Sequence, residues 1–196
     1  NSLGRSHGFS DETQGTLFFD ILRILKHHRP AAFLLENVKN LNSHDKGRTF
    51  EIIKQKLTDE LGYTLDTIVV DAAHFVPQHR QRIIMVGFRS EVGFNFEKLN
   101  LPPRGNVVMK NILHTENGFE DPEAHYTIGL DAKVNRKYIL SDKLWNYLKS
   151  YAAKHKAAGN GFGYGLVDEN SISRTLSARY YKDGSEILID QGENMN

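Results

Sequence analysis

The sequence predicts an α/β protein: the second half of a doubly wound sheet, followed by a smaller, irregular and mainly β region. Three observations lead to this prediction. Helical stripes alternate with strand-length apolar runs in the first part of the chain. A carboxylate, Glu36, directly follows one of those runs, as side chains do at the crevices of such sheets. After about Leu101 the composition shifts to short, poorly periodic segments. We therefore expect two parts, residues 1–100 and residues 101–196.

The first part is expected to open with a helix and a strand. Apolar residues at helical spacing predict a helix over Thr16–His28. Pro30 ends it, because proline lacks the backbone donor that a helix interior needs. Residues 31–35 form a short apolar run, which predicts a buried strand of a parallel sheet.

A second helix and two strands are expected next. Residues 40–46 are polar and indicate a loop. A helical stripe then covers residues 49–61, with Gly62 as its C-terminal cap. Residues 63–73 and 78–88 are rich in β-branched and apolar side chains, which predicts two strands joined by a turn. The order helix, strand, helix, strand, strand is typical of the second half of a doubly wound sheet with a terminal hairpin.

The second part contains fewer regular signals. A helix is predicted over residues 141–154, with three side chains along one side: Leu144, Leu148 and Tyr151. Residues 173–190 are typical of paired short strands around the turn Lys182-Asp183-Gly184. The glycine-rich segment 159–165 lacks the flanking strand and helix that a dinucleotide-binding loop requires.

Two short segments carry the candidate chemistry. Glu36 and Asn37 end the first apolar run. Downstream, three long donors stand at alternate positions: Gln78, Arg80 and Arg82. If residues 78–85 form one strand, these donors share a face, and His79 and Gln81 lie on the other. A carboxylate facing such donors suits a planar, polar substrate that accepts a proton. The alternatives are a solvent-facing glutamate and a cationic edge strand that discourages aggregation.

These segments resemble signature motifs of the DNA cytosine-5 methyltransferases. Glu36-Asn37-Val38 is similar to one motif, Gln78-x-Arg80-x-Arg82 to a second, and Gln14-Gly-Thr-Leu-Phe-Phe-Asp20 to a third, in the family's order. Residues 36–47 are most similar to the bacterial Dcm-like branch. The resemblance is close over about residues 1–90 and looser beyond. It implies a Rossmann-like domain of the class I methyltransferase type, with S-adenosyl-L-methionine as cofactor and double-stranded DNA as partner.

The resemblance also implies roles for single residues. Glu36 would contact the ring nitrogen of an extruded cytosine and share a proton with it, and Asn37 would help to shape the pocket. Addition of a nucleophile at the neighbouring ring carbon releases electrons that protonation of this nitrogen accepts. A carboxyl group in a partly desolvated pocket can hold that proton near neutral pH. One arginine of the second motif would fix the base or the carboxylate, and the other would hold phosphate or the catalytic loop.

Further candidates concern the cofactor and the DNA. Leu17 stands where the family places an apolar contact to the cofactor's adenine, although a plain core leucine explains it equally well. Thr175-Leu176 resembles a dipeptide of the family's target-recognition region. Around it cations and aromatics interleave, and arginine can contact guanine edges while lysine contacts phosphates. The DNA-binding candidates are Arg174, Thr175, Leu176, Arg179, Tyr180 and Lys182. An ordinary polar hairpin with tyrosines in a small core is the alternative.

Composition excludes several other classes of protein. The net charge is +1, so the totals give no support for a basic DNA-binding surface. With no cysteine, the chain carries neither a disulfide framework nor a cysteine-based zinc site, and its histidines show no repeated metal-ligand spacing. No apolar run approaches the roughly 18 residues that span a membrane, so we expect no membrane partner. The absence of cysteine fits a cytoplasmic protein.

We therefore interpret the chain as an internal fragment of a DNA cytosine-5 methyltransferase that acts on a short duplex site. It lacks the family's cysteine nucleophile and glycine-rich cofactor motif, so we expect it to be inactive alone. Its truncated sheet would expose strand edges, which allows self-association. Two alternatives stay open: a catalytically inactive DNA-binding module or one subunit of a split methyltransferase, and an unrelated Rossmann-like domain with accidental motifs.

Overall fold

A computed structural model of the chain describes residues 16–114, 119–160, 163–176 and 187–190. The chain folds into two units. One consists of Asn1–Asp71 with Arg80–Leu101, and the other of Ala72–His79 with Pro102–Asn196. The first unit is therefore built from two separate stretches of sequence, because the segment between its last two strands belongs to the second unit.

The helices of the first unit confirm the predicted pattern. Helix α1 spans Thr16–His28, as its apolar stripe predicts. Helix α2 spans Arg48–Gln55 and continues in π-helical turns over Lys56–Glu60, so the helical segment matches the predicted extent. Gly62 follows with φ +70°, a left-handed conformation that glycine adopts without steric cost. The expected loop before α2 is instead two short 3₁₀ turns, Lys39–Asn42 and His44–Gly47.

Three strands form the sheet of the first unit: β1 is Ala32–Val38, β2 is Thr64–Asp71 and β3 is Gln81–Phe88. Their order is β1-β3-β2, and β3 pairs antiparallel with both neighbours. Strands β1 and β2 therefore run in the same direction. Their carboxyl ends and the start of β3 meet at one edge of the sheet.

The prediction of a buried parallel strand over residues 31–35 is wrong. Strand β1 continues through Glu36 to Val38, pairs antiparallel with β3, and alternates in burial along its length. Leu34 is 65% exposed. A short apolar run does not reveal whether a strand is buried on both faces or on one, and only the register of its neighbour decides this.

The core of the first unit lies between one face of the sheet and the two helices. Its buried side chains come from both helices, the turns around them and β3: Leu22, Leu25, Leu41, Ile53, Leu57, Leu61, Tyr63, Ile83 and Met85. Phe33 packs edge-to-face on Tyr63, with ring centroids 5.1 Å apart. The Phe33 ring lies directly over Gly87, where an added Cβ atom would overlap it.

The second unit has short strands and one long helix. Strands β4, Thr127–Ile128, and β5, Lys133–Val134, form an antiparallel pair. Helix α3 spans Asp142–Ala157, which confirms the helix predicted here. The Ser141 Oγ accepts a hydrogen bond from the Leu144 amide and caps its first turn. Of the three residues expected along one side, Leu148 is buried, Tyr151 is half-buried and Leu144 is exposed.

The remaining strands of this unit differ from the expected hairpin. Strand β6, Gly165–Val167, pairs in parallel with β7, Ile187–Ile189. Ser173 forms an isolated bridge with Gln78. The turn predicted at residues 182–184 lies outside the described residues. Since the longest described element here is α3, the expectation of a mainly β region does not fit the part of this unit that is described. None of the described helices is long and apolar enough to cross a membrane.

Candidate functional site

An ion pair joins β1 to β3 at the edge where β1 and β2 end. The Arg82 Nε lies 2.7 Å from the Glu36 Oε1. Val38 is opposite Arg82 in the register. Glu36, two residues before Val38, is therefore the diagonal neighbour of Arg82 on the same face of the sheet. This face is the one opposite the helical core. The Arg82 side chain is 20% exposed and that of Glu36 is 50% exposed, so a half-buried carboxylate lies against a largely buried guanidinium.

A second contact fixes the Arg82 guanidinium. Its Nη1 donates to the backbone oxygen of Gln81 at 2.9 Å. The planar guanidinium is therefore held through two of its donors, one bonded to the Glu36 carboxylate and one to the backbone oxygen of the preceding residue. The Gln81 side chain in turn accepts a hydrogen bond from Lys39 Nζ at 2.9 Å, just beyond the end of β1.

Asn37 does not share the face of Glu36. Its register partner is the buried Ile83, so its side chain belongs to the core face of the sheet. The Asn37 Oδ1 accepts a hydrogen bond from the Val38 amide at 2.8 Å, which fixes the backbone at the end of β1. Asn37 and Glu36 are neighbours in the sequence, but their side chains lie on opposite faces of the sheet.

Gln78, Arg80 and Arg82 do not lie on one continuous strand, so that prediction is wrong. Strand β3 begins at Gln81, and Arg80 is an exposed residue before it. The Arg80 amide donates to the Asp71 Oδ1 at 2.9 Å. The Arg80 amide is thus bonded to the Asp71 side chain, whereas in a regular β-ladder it would bond to a backbone oxygen. Gln78 belongs to the second unit, where it bridges to Ser173.

Asp71 is a residue of this region that the sequence argument missed. It is the last residue of β2, is opposite Gln81, and is 1% exposed. An acidic residue at the end of an apolar run is a signal that could have found it, since a buried carboxylate needs hydrogen-bond donors nearby.

Leu17, the candidate for cofactor contact, is a surface residue. It lies in α1 and is 50% exposed, so the alternative of a plain core leucine is wrong. Its exposed apolar side chain could pack on a flat aromatic ring.

The structure describes three of the six DNA-binding candidates, Arg174, Thr175 and Leu176. Thr175 Oγ1 donates to the backbone oxygen of His79, and the His79 amide donates to the Ser173 oxygen at 2.9 Å. Arg174 donates to the Gly163 oxygen at 3.0 Å. Leu176 is 47% exposed. The other candidates lie outside the described residues: Arg179, Tyr180 and Lys182.

Two carboxyl groups with lowered pKa values, Asp45 and Glu60, lie on the surface and are not part of the ion pair. The Arg48 guanidinium donates to Asp45 and holds the pKa of that carboxyl below its usual range. Lys56 lowers the pKa of Glu60 in the same way, from one helical turn away. Both pairs are solvent-exposed and therefore contribute little to stability.

Comparison with known proteins identifies related sequences along the whole chain. A family model for C-5 cytosine-specific DNA methylases matches residues 2–196. The chain is 52% identical to the DNA-cytosine methyltransferase of Escherichia coli K12, over 100% of the chain and 41% of that protein. It is 50% identical to the Type II methyltransferase M.SsoII of Shigella sonnei, over 97% of the chain and 46% of that protein. The chain thus spans less than half the length of these relatives.

Solved structures share the fold at low sequence identity. The Dnmt2 methyltransferase of S. pombe matches 93% of the chain and 51% of its own length, with a TM-score of 0.56 and 14% identity. The methyltransferase EhMeth of Entamoeba histolytica matches 90% of the chain and 45% of its own length, with a TM-score of 0.57 and 14% identity. The mixed α/β arrangement described above is therefore consistent with a methyltransferase fold.

Proposed function

Because the chain belongs to the C-5 cytosine-specific DNA methylase family, we propose that it forms part of the active site and of the target-recognition surface of a DNA (cytosine-5)-methyltransferase. The reaction moves a methyl group from S-adenosyl-L-methionine to carbon-5 of a cytosine flipped out of duplex DNA. The observation that carries this proposal is the ion pair of Glu36 and Arg82, where β1 and β3 meet. In this proposal residues 1–100 are the second half of a Rossmann-like sheet, and residues 101–196 recognise the target.

The geometry suggests how the pair acts on the base. Arg82 holds one oxygen of Glu36, which orients the carboxyl plane and leaves the second oxygen for the cytosine ring nitrogen. In this proposal the free oxygen of Glu36 carries a proton when the base is bound, and as a nucleophile adds to the neighbouring carbon the ring nitrogen gains electron density and takes that proton. The carboxylate that remains is stabilised by the adjacent guanidinium. The chain has no cysteine, so the family's thiolate nucleophile is not one of its residues.

Among the described residues, Leu17 is the candidate for contact with the cofactor. S-adenosyl-L-methionine supplies the methyl group when bound, and the exposed side chain of Leu17 would pack against its adenine ring.

Duplex DNA is the proposed partner of the second unit. Support comes from the segment that contains Thr175, whose hydroxyl bonds to the residue before Arg80. Arg174 and Leu176 flank Thr175, and Arg174 is exposed. In this proposal the candidates around them contact the target site: arginine at guanine edges and lysine at phosphates.

A chimera tests the proposal. This chain replaces the matched segment of the E. coli DNA-cytosine methyltransferase, and incorporation of labelled methyl into duplex DNA is measured, with 5-methylcytosine identified after digestion. We expect methyl transfer by the chimera and its loss in Glu36→Gln. The matched control is Glu51→Gln, an exposed glutamate of the same unit that pairs with Lys54 at 2.6 Å. A folded chimera that binds DNA and cofactor without transferring methyl would contradict the proposal.

A further inference from the structure

Asp71 is a buried carboxylate with no part in the chemistry proposed above. It is 1% exposed, at the last position of β2. Removing a carboxylate from water is costly unless hydrogen bonds compensate it. Its Oδ1 accepts a hydrogen bond from the Arg80 amide at 2.9 Å, at the point where the chain returns to the first unit.

This bond sets where β3 enters the sheet. Asp71 is opposite Gln81, and Val70 is opposite Arg82. Because the Arg80 amide bonds to a side chain, regular pairing with β2 starts at the next residue, Gln81. The Asp71 carboxylate therefore fixes the backbone at Arg80. The next residue, Gln81, carries the backbone oxygen to which the Arg82 side chain is bonded.

The Gln81 peptide unit links this bond to the ion pair. Its oxygen accepts from Arg82 Nη1 at 2.9 Å, while Arg82 Nε contacts Glu36 at 2.7 Å. A rotation of that peptide would move one of the two points that hold the guanidinium. The contacts thus form a continuous path from the Asp71 carboxylate through the backbone to the Glu36 carboxylate.

We propose that Asp71 is a positioning residue for the Glu36–Arg82 pair, acting through the backbone of Arg80 and Gln81. It holds the start of β3 so that the Arg82 guanidinium faces Glu36. Its effect on catalysis rests on the proposed function, whereas its effect on the geometry of the pair does not.

Asp66 provides a matched control on the same strand. Its Oδ2 accepts a hydrogen bond from the Phe96 amide at 2.7 Å, and its Oδ1 accepts from the Thr67 amide at 2.8 Å. Like Asp71, it bonds a backbone amide that follows in the sequence. It lies toward the opposite end of β2, away from Arg82.

The first test measures geometry in the full chain of 196 residues. The NMR signal of the Arg82 Nε–H, assigned by its loss in Arg82→Lys, is compared among variants. We expect Asp71→Ala to shift this signal toward its position in Glu36→Gln, because the unsatisfied Arg80 amide rearranges. Asp71→Asn, which keeps the shape and an acceptor oxygen, should give a smaller shift in the same direction. Asp66→Ala should leave the signal unchanged.

The second test measures catalysis in the chimera. We expect Asp71→Ala to lower kcat about tenfold with a nearly unchanged KM for DNA, and Asp71→Asn to recover part of it. If Asp71→Ala does not fold, the smaller effects of Asp71→Asn carry both tests. Variants that lose stability while the Arg82 signal stays in place would overturn the proposal, since Asp71 would then be only structural. An inactive parent chimera would instead count against the proposed function, because the NMR test needs no methyl transfer.

Discussion

At the scale of single residues, the structure distinguishes between two arginines that the sequence treats alike. Period-two spacing places Arg80 and Arg82 on one face of a hypothetical strand, and either could then meet Glu36. The observed register places Arg82 diagonal to Glu36, whereas Arg80 precedes the strand and uses its amide to bond Asp71. The pair itself could be predicted from residue types. The choice of partner depends on a side-chain bond between residues nine positions apart, which no local pattern encodes.

The first prediction concerns the carboxylate. In the chimera we expect Glu36→Gln to lower methyl transfer by roughly 100-fold or more, the scale of losing general acid–base catalysis. DNA binding should change much less, because the amide keeps the shape of the side chain. Turnover and DNA affinity are measured on the same preparation. Turnover at the level of the unsubstituted chimera would remove Glu36 from the mechanism.

The second prediction concerns the donors around it. We expect Arg80→Ala and Arg82→Ala each to impair catalysis or folding, and His79→Ala and Gln81→Ala to have mild effects. Arg82→Lys should not restore activity, because an ammonium group cannot bond Glu36 and the Gln81 oxygen with the planar geometry of arginine. Relative kcat and the unfolding midpoint separate catalysis from stability. Equal sensitivity at all four positions would contradict this assignment.

At the scale of elements, hydrophobic periodicity predicted the helices, because local packing and capping residues determine where a helix begins and ends. The bounds of α1 follow from its apolar stripe and from Pro30, and α3 begins where Ser141 can cap it. Strand boundaries were less predictable. Strand β1 runs beyond its apolar residues through Glu36 to Val38, because its ladder with β3 continues regardless of side-chain polarity. Cross-strand register is a long-range property, so a sequence pattern does not determine it.

The third prediction tests the packing of the sheet. We expect Gly87→Ala to lower the free energy of unfolding by about 1–3 kcal/mol, because its methyl group would overlap the Phe33 ring in a well-packed core. Urea unfolding measures the loss. In a Phe33→Leu background the same change should cost less, since the ring is gone, and the double-mutant cycle gives the coupling. Equal costs in both backgrounds would show that another contact limits the space at Gly87.

At the scale of the whole molecule, the chain combines a sheet edge that carries the ion pair with a second unit that we propose to contact DNA. The relatives from E. coli and Shigella sonnei are more than twice as long, since the chain covers 41% and 46% of them. The Leu34 side chain is 65% exposed on the sheet face opposite the core. We therefore predict that the chain self-associates through the first unit, and sedimentation of the chain at several concentrations tests this.

The fourth prediction concerns the chain by itself. It should transfer no methyl group when incubated with labelled S-adenosyl-L-methionine and duplex DNA, because no side chain present replaces the thiolate that adds to the pyrimidine. With a net charge of +1, DNA binding should be weak at physiological salt, in the range of roughly 0.1 mM to 1 µM found for non-specific contacts. Labelled 5-methylcytosine above a no-protein control would show that the chain contains a complete catalytic apparatus.

The strand order β1-β3-β2 has a consequence for synthesis on the ribosome. The central strand is the last of the three to be made, and in the described residues each outer strand pairs with it alone. At about 5–20 residues per second, a nascent chain spends seconds with two unpaired strands before Phe88 emerges. During that interval the helices can form while the ladder cannot. A release from the ribosome before Phe88 would therefore leave a chaperone substrate rather than a folded intermediate.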